Sequence, residues 1–243
     1  MNRFLAVAAA LAATLALADV GKVAVVEGAA TRTPKGGKAV PLAKDAAIEL
    51  GDLISVESGN LKLVLTDESV IMLAPGSKLE ITEAEFEGQE RKGFKAFLQS
   101  GSLWTKVKKA IGGAGYEVST ERAVAGVRGT VFRIDAEKMV AAAKPPKARR
   151  ASIVRIVEGV VAVKPTDMVI KTSTTATKAA RVPSGPRQQV AGPTEVSADE
   201  WEKKFVELQA NQQLIVGVDL WDVVQFEEAA KRDAFAKWIE KNQ

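Results

Sequence analysis

The sequence predicts a mainly β protein: a twisted, solenoid-like or sandwich-like β domain followed by two C-terminal α-helices. Two observations carry that prediction. From Lys22 to Val163, short apolar runs are separated by turn residues at intervals of roughly 8 to 12 residues, the spacing of short strands in a sandwich, barrel or solenoid. After Ser197 the apolar period changes from two to that of a helix.

Taken in order, Lys22 to Thr33 reads as two short strands joined at Glu27-Gly28. Gly51-Asp52 feeds the strand Leu53 to Val56, and Ser58-Gly59-Asn60 is the next turn. Leu61, Leu63 and Leu65 then alternate with Lys62, Val64 and Thr66, so one face of this strand should be buried. Asp67-Glu68-Ser69 closes a hairpin into Val70 to Leu73, and Ala74-Pro75-Gly76 turns into Lys78 to Ile81. Glu83 to Gly93 is charged and reads as a solvated hairpin tip. Lys95 to Lys106 is a strand pair pivoting on Gly101, with Trp104 a core or edge aromatic, and Gly112 to Gly115 is a turn. A strand-Gly-strand unit recurs around Gly28, Gly101 and Gly159, which suits a coiling β layer as well as a twisted sandwich.

Ala123 to Asp135 is the centre of the pattern. Its β-branched and aromatic residues favour a strand, which Gly126 and Gly129 should kink. Counted by twos, Val124, Arg128, Thr130, Phe132 and Ile134 share a face. Either a bulge at the glycines shifts that register, or Arg128 is buried and paired, with Glu158 or Glu121 as the expected carboxylate.

Ala136 to Ala151 collects Lys138, Lys144, Lys147, Arg149 and Arg150 around Pro145-Pro146 and reads as an exposed basic loop, merely solvated or contacting an anionic polymer or acidic partner. Ser197-x-x-Glu200 is a capping box, after which Trp201, Phe205 and Leu208 recur at helical spacing to about residue 212. A second helix, from about 219 to 241, would carry Val223, Phe226, Phe235 and Trp238 over a wide arc. The expected division is docking of the first helix on the β body and of the second on another subunit.

The chain has no Cys and no His, which excludes thiol and Ser-His-Asp catalysis, disulfides and Cys or His zinc sites. No motif marks an enzyme, so the expectation is a non-catalytic protein without cofactor or metal. Arg3, the apolar run Phe4 to Leu17 and Ala16-Leu17-Ala18 resemble a secretory signal with cleavage before Asp19, and the run is short for a membrane span. Export to the periplasm or beyond makes nucleic acid an unsuitable partner for the net charge of +4. The predicted division is therefore 1–18 signal peptide, 19–196 β domain with the basic insertion 136–151, and 197–243 helical appendage.

Val127-Arg128-Gly129-Thr130-x-Phe132, then Val154 to Val163 with Glu158-Gly159, and Pro183-x-Gly185, resemble the core of the FecR domain. The likeness extends back through Gly51-Asp52, Gly59, Pro75-Gly76 and Gly101-Ser102. The resemblance implies an all-β envelope module, best known from regulators that relay an outer-membrane receptor signal to a sigma factor. Those regulators carry a cytoplasmic segment before a single membrane span, whereas here the signal-like segment starts at residue 1. The expected role is a binding or scaffolding module with an envelope protein partner, or the periplasmic sensory half of a relay with a separate membrane partner. Peptidoglycan or another glycan, stacking on Trp104, Trp201 and Trp221, is a further candidate.

Overall fold

The computed structural model describes residues 19–109, 115–127, 129–141, 148–166, 206–217, 220–226 and 233–243. The expected signal peptide, Arg128, Lys144, Lys147, Trp201, Phe205 and the capping box lie outside these residues.

The first strands in chain order are β1 (Asp19–Val26), β2 (Ala30–Thr33), β3 (Val40–Pro41), β4 (Ala47–Glu49), β5 (Leu53–Val56) and β6 (Leu61–Leu65). They are followed by β7 (Val70–Leu73), β8 (Lys78–Glu87), β9 (Glu90–Lys106), β10 (Gly115–Ser119), β11 (Ala123–Val127) and β12 (Val131–Ala141). The last are β13 (Ala148–Glu158), β14 (Val160–Pro165), β15 (Val206–Gln209), β16 (Gln212–Gly217), β17 (Leu220–Gln225) and one described helix, α1 (Ala234–Asn242).

The strands form two layers. The first runs β4, β1, β6, β7, β9, β12, β13, β16, β17, each strand antiparallel to its neighbours. The second runs β3, β2, β5, β8, β9, β10, β11, β14, β15, antiparallel except for the parallel pair β9 and β10. Strand β9 belongs to both. Up to Ser100 it pairs with β8, and from Gly101 onward with β12 and then β7. The change of layer falls at Gly101, where φ is +90° and a Cβ would lie 2.4 Å from Ser77 Cα. Only glycine fits that corner.

The period of two decides which side chains enter the core. Leu61, Leu63 and Leu65 of the first layer face Ile54, Leu79 and Ile81 of the second, and all belong to one buried cluster with Phe132, Ile134, Val161 and Val163. Residues 123–135 pass from β11 in the second layer to β12 in the first. Ala123, Ala125 and Val127 are buried before the corner, and Phe132 and Ile134 after it. The corner thus shifts the register by one, and Val124 does not share the face of Phe132.

The C-terminal part differs from the sequence expectation. Residues 206–209, 212–217 and 220–225 are strands, not helices: β15 extends the second layer beside β14, and β16 and β17 extend the first beside β13. Leu208, Leu214 and Val216 fill the main core rather than forming a helical stripe. The reason is tertiary: β13 and β14 would otherwise end their layers as open edges, and pairing with them outweighs a weak helical period. Among the described residues only 234–242 is helical, capped by Asp233, whose carboxylate accepts from the Ala236 N–H at 2.8 Å. Phe235, Trp238 and Ile239 of α1 bury against Met72, Trp104 and Val131 on the outer face of the first layer. The apolar side of α1 is therefore internal packing, not the partner surface expected of Phe235 and Trp238.

The basic loop is also more regular than expected. Strand β12 continues to Ala141 and β13 begins at Ala148; beyond a bulge between Asp135 and Lys138 they pair as far as Ala141 opposite Ala148. Pro145 and Pro146 lie outside the described residues. Among the described residues, no helix is long and apolar enough to cross a membrane.

Candidate functional site

Between the outer face of the first layer and α1 lies a cleft of about 650 Å³. Its floor is made by β12, β13 and β16. Arg133 and Arg155 stand directly opposite each other across β12 and β13. Such a like-charged pair is unfavourable alone. Asp135, on the same face of β12, resolves it: Oδ1 accepts from Arg133 Nε at 3.1 Å and Nη2 at 2.9 Å, and Oδ2 accepts from Arg155 Nη1. Ser102 Oγ donates to the same carboxylate. Arg155 Nε donates to Gln213 Oε1 at 2.9 Å.

Helix α1 joins this ladder through its cap. Arg133 donates to both Asp233 oxygens, at 3.1 and 2.7 Å, and its guanidinium carbon lies 5.3 Å from the Phe235 ring centroid. Burial works against the Arg133 charge, but the hydrogen bonds and charges of Asp233 and Asp135 outweigh it and raise its pKa. Burial likewise opposes ionisation of Asp233, yet the Arg133 and Ala236 donors and the arginine charges hold its carboxyl below the usual value. Trp104, Met139, Ile153, Val157 and Ile239 supply apolar walls, and Met139 at 62% exposure marks the open rim.

Both carboxylates of the floor and cap are committed to arginines. Among the described residues, no three acidic side chains are grouped as metal ligands would be. The arrangement is suited to holding a chain segment by apolar contact and hydrogen bonding.

A second polar cluster is internal. Arg91 is 1% exposed. It donates to Asp67, to Ser69 Oγ at 3.1 Å and to the Lys108 carbonyl at 3.1 Å, and its guanidinium carbon sits 5.2 Å from the Tyr116 ring centroid. Tyr116 stacks on Phe94 at 4.7 Å and shares a 2.9 Å hydrogen bond with Thr105. Burial pushes the Tyr116 hydroxyl well above the usual tyrosine pKa, so it stays protonated.

The residues singled out in the sequence are scattered. Val127, Thr130 and Phe132 are buried at the corner between layers, and Gly129 takes φ +67°. Gly159 takes φ +84°, and a Cβ there would approach Thr130 Cγ2 to 2.7 Å, so these family residues hold the turn. Glu158 and Glu121 are exposed. Val223 is exposed on β17, Phe226 is half-buried at the cleft, and Phe235 and Trp238 are buried. Arg149 is paired through its backbone in β13, whereas the exposed Arg150 side chain reaches Glu137 at 3.5 Å. Trp104 lies under α1, which removes it as a glycan platform beside Trp221. Sequence reasoning missed Arg133, Asp135 and Arg155. The alternation of charge with buried Phe132, Ile134, Val154 and Ile156 was the signal for an outer face.

Residues 52–161 match the FecR protein domain family. The cleft floor from Trp104 to Arg155 lies inside that span, while Gln213, Phe226 and α1 are contributed from beyond it. No curated protein gives a significant match. Two crystal structures of a protein proposed as an anti-sigma factor, from Parabacteroides distasonis ATCC 8503, are similar in part. One has a TM-score of 0.43 at 16% identity, with 72% of this chain and 59% of that one covered. The other has a TM-score of 0.42 at 14% identity, with 72% and 58% covered. The chain thus spans about three fifths of those structures.

Proposed function

We propose that the protein is a non-catalytic binding module of the bacterial cell envelope, exported from the cytoplasm and working in a signalling relay with a separate membrane partner. The FecR domain supports a regulatory role, and the cleft between β12, β13 and α1 supports binding. One observation carries the choice of partner: Arg133 is held by Asp135 and Asp233, and Arg155 by Asp135 and Gln213. The floor therefore offers little net attraction to an anionic polymer, and an apolar protein segment is the better match for Met139, Ile153 and Val157. Scaffolding and signal transfer both use such a contact.

The test is site-specific photocrosslinking in intact cells. A photoreactive residue at Met139, on the cleft rim, should capture an outer-membrane receptor or a membrane-bound regulator. The same residue at Val40, which is 48% exposed at the far edge, should not. Equal yields at the two positions, or no protein adduct at Met139, would overturn the reading.

A further inference from the structure

Strand β17 ends the first layer. Phe226, immediately after it, donates its N–H to the Asn211 carbonyl at 2.9 Å, on the β16 side. Backbone direction alternates along a strand, so Leu220, Asp222 and Val224 also turn toward β16, while the N–H and C=O groups of Trp221, Val223 and Gln225 turn outward. Among the described residues no strand pairs with that side. Val223 lies opposite Leu214, and Trp221 opposite Val216. Those partners are fully buried in the main core, yet Trp221 is 38% and Val223 43% exposed. The core face thus runs one strand further than its cover. On the other face Val224 is 40% exposed.

The far ends of the layers are guarded by short strands: β4 has three residues, and β3 has two and ends in Pro41. Strand β17 has six residues, LWDVVQ, without a proline, lysine or arginine to discourage pairing.

We propose that β17 is a dimerisation strand, through which two copies of this chain pair antiparallel about a two-fold axis at Val223. An axis perpendicular to the sheet brings together residues of the same parity, leaving two central registers. With Asp222 on the axis, two carboxylates would face each other, which is unfavourable. With Val223 on the axis, Val223 meets its own copy, Trp221 lies opposite Gln225, and Asp222 lies opposite Val224. All the outward backbone groups then find partners. The strand is self-complementary in one register, and for that reason the occupant is a second copy rather than an unrelated strand.

The test is sedimentation velocity of the whole chain over rising micromolar concentration, where the wild type should pass from one-chain to two-chain mass. Val223→Pro removes an outward N–H and spares the ladder with β16; Val223→Lys and Val223→Asp each place like charges on the axis. Each variant should keep the wild-type circular dichroism and lose the dimer. An equimolar mixture of Val223→Lys and Val223→Asp should regain it, because position 223 faces itself only in this arrangement. A wild type that stays monomeric, dimers that persist in the charged variants, or a mixture that stays monomeric would each overturn the proposal. If Val223→Pro fails to fold, the charged pair decides alone.

Discussion

Arg91 shows how far a residue's chemistry depends on distant neighbours. In sequence it sits among Glu87, Glu90 and Lys92, and the reading of a solvated tip holds for these: Lys92 pairs with Glu87 at 3.1 Å and Glu90 at 2.9 Å near the surface. Arg91 points the other way, because β9 alternates its faces, and meets Asp67 and Ser69 from the turn between β6 and β7. No local pattern could announce that contact. Removing one partner of a buried pair leaves the other charge uncompensated, at a cost of about 3–5 kcal/mol. Arg91→Ala should lower the urea midpoint accordingly, while Arg91→Met combined with Asp67→Leu should cost much less because no charge is orphaned. A single substitution as mild as the double would show that Asp67 is solvated without its arginine. The corner glycines are the opposite case: Gly101, Gly129 and Gly159 were legible as bends because positive φ selects glycine.

At the scale of elements, most strands up to β14 could be read from alternation and turns, but the ends of β12 and β13 within the expected basic loop and the C-terminal segment could not. Phe205 and Leu208, or Leu220, Val223 and Val224, satisfy a helical period over a few residues, but they satisfy short strands equally well. The decision came from β13 and β14, which lie far back in the chain. Helix α1 carries a testable electrostatic clamp. The Asp233 carboxyl has its pKa lowered in the folded state, so its stabilising contribution is present above the unfolded value and is lost as pH falls through the folded one. Between about pH 7 and about pH 3 the melting temperature should fall less in Asp233→Asn than in wild type. An identical fall would mean that the cap and the Arg133 pair do not hold the helix.

For the whole molecule, the two cores divide the labour. The main core contains residues of β15 and β16 but none of α1, while the smaller outer cluster depends on α1. A chain ending at Phe226 loses Phe235, Trp238 and Ile239 from that cluster, each worth roughly 1.5–3 kcal/mol when fully buried. It should melt earlier but cooperatively. A chain ending at Thr166 also loses Leu208, Leu214 and Val216 and should show no cooperative transition in a thermal scan. Equal effects from the two truncations would refute the division. Strand β9 has a consequence for time as well. Its neighbours arrive from both directions along the chain: β7 and β8 are made before it, β10 and β12 after it. At about 5–20 residues per second of synthesis, its second edge waits on the order of seconds for a partner. During that wait the longest of the described strands is a bare template for any other strand it meets, including its counterpart on a neighbouring nascent chain.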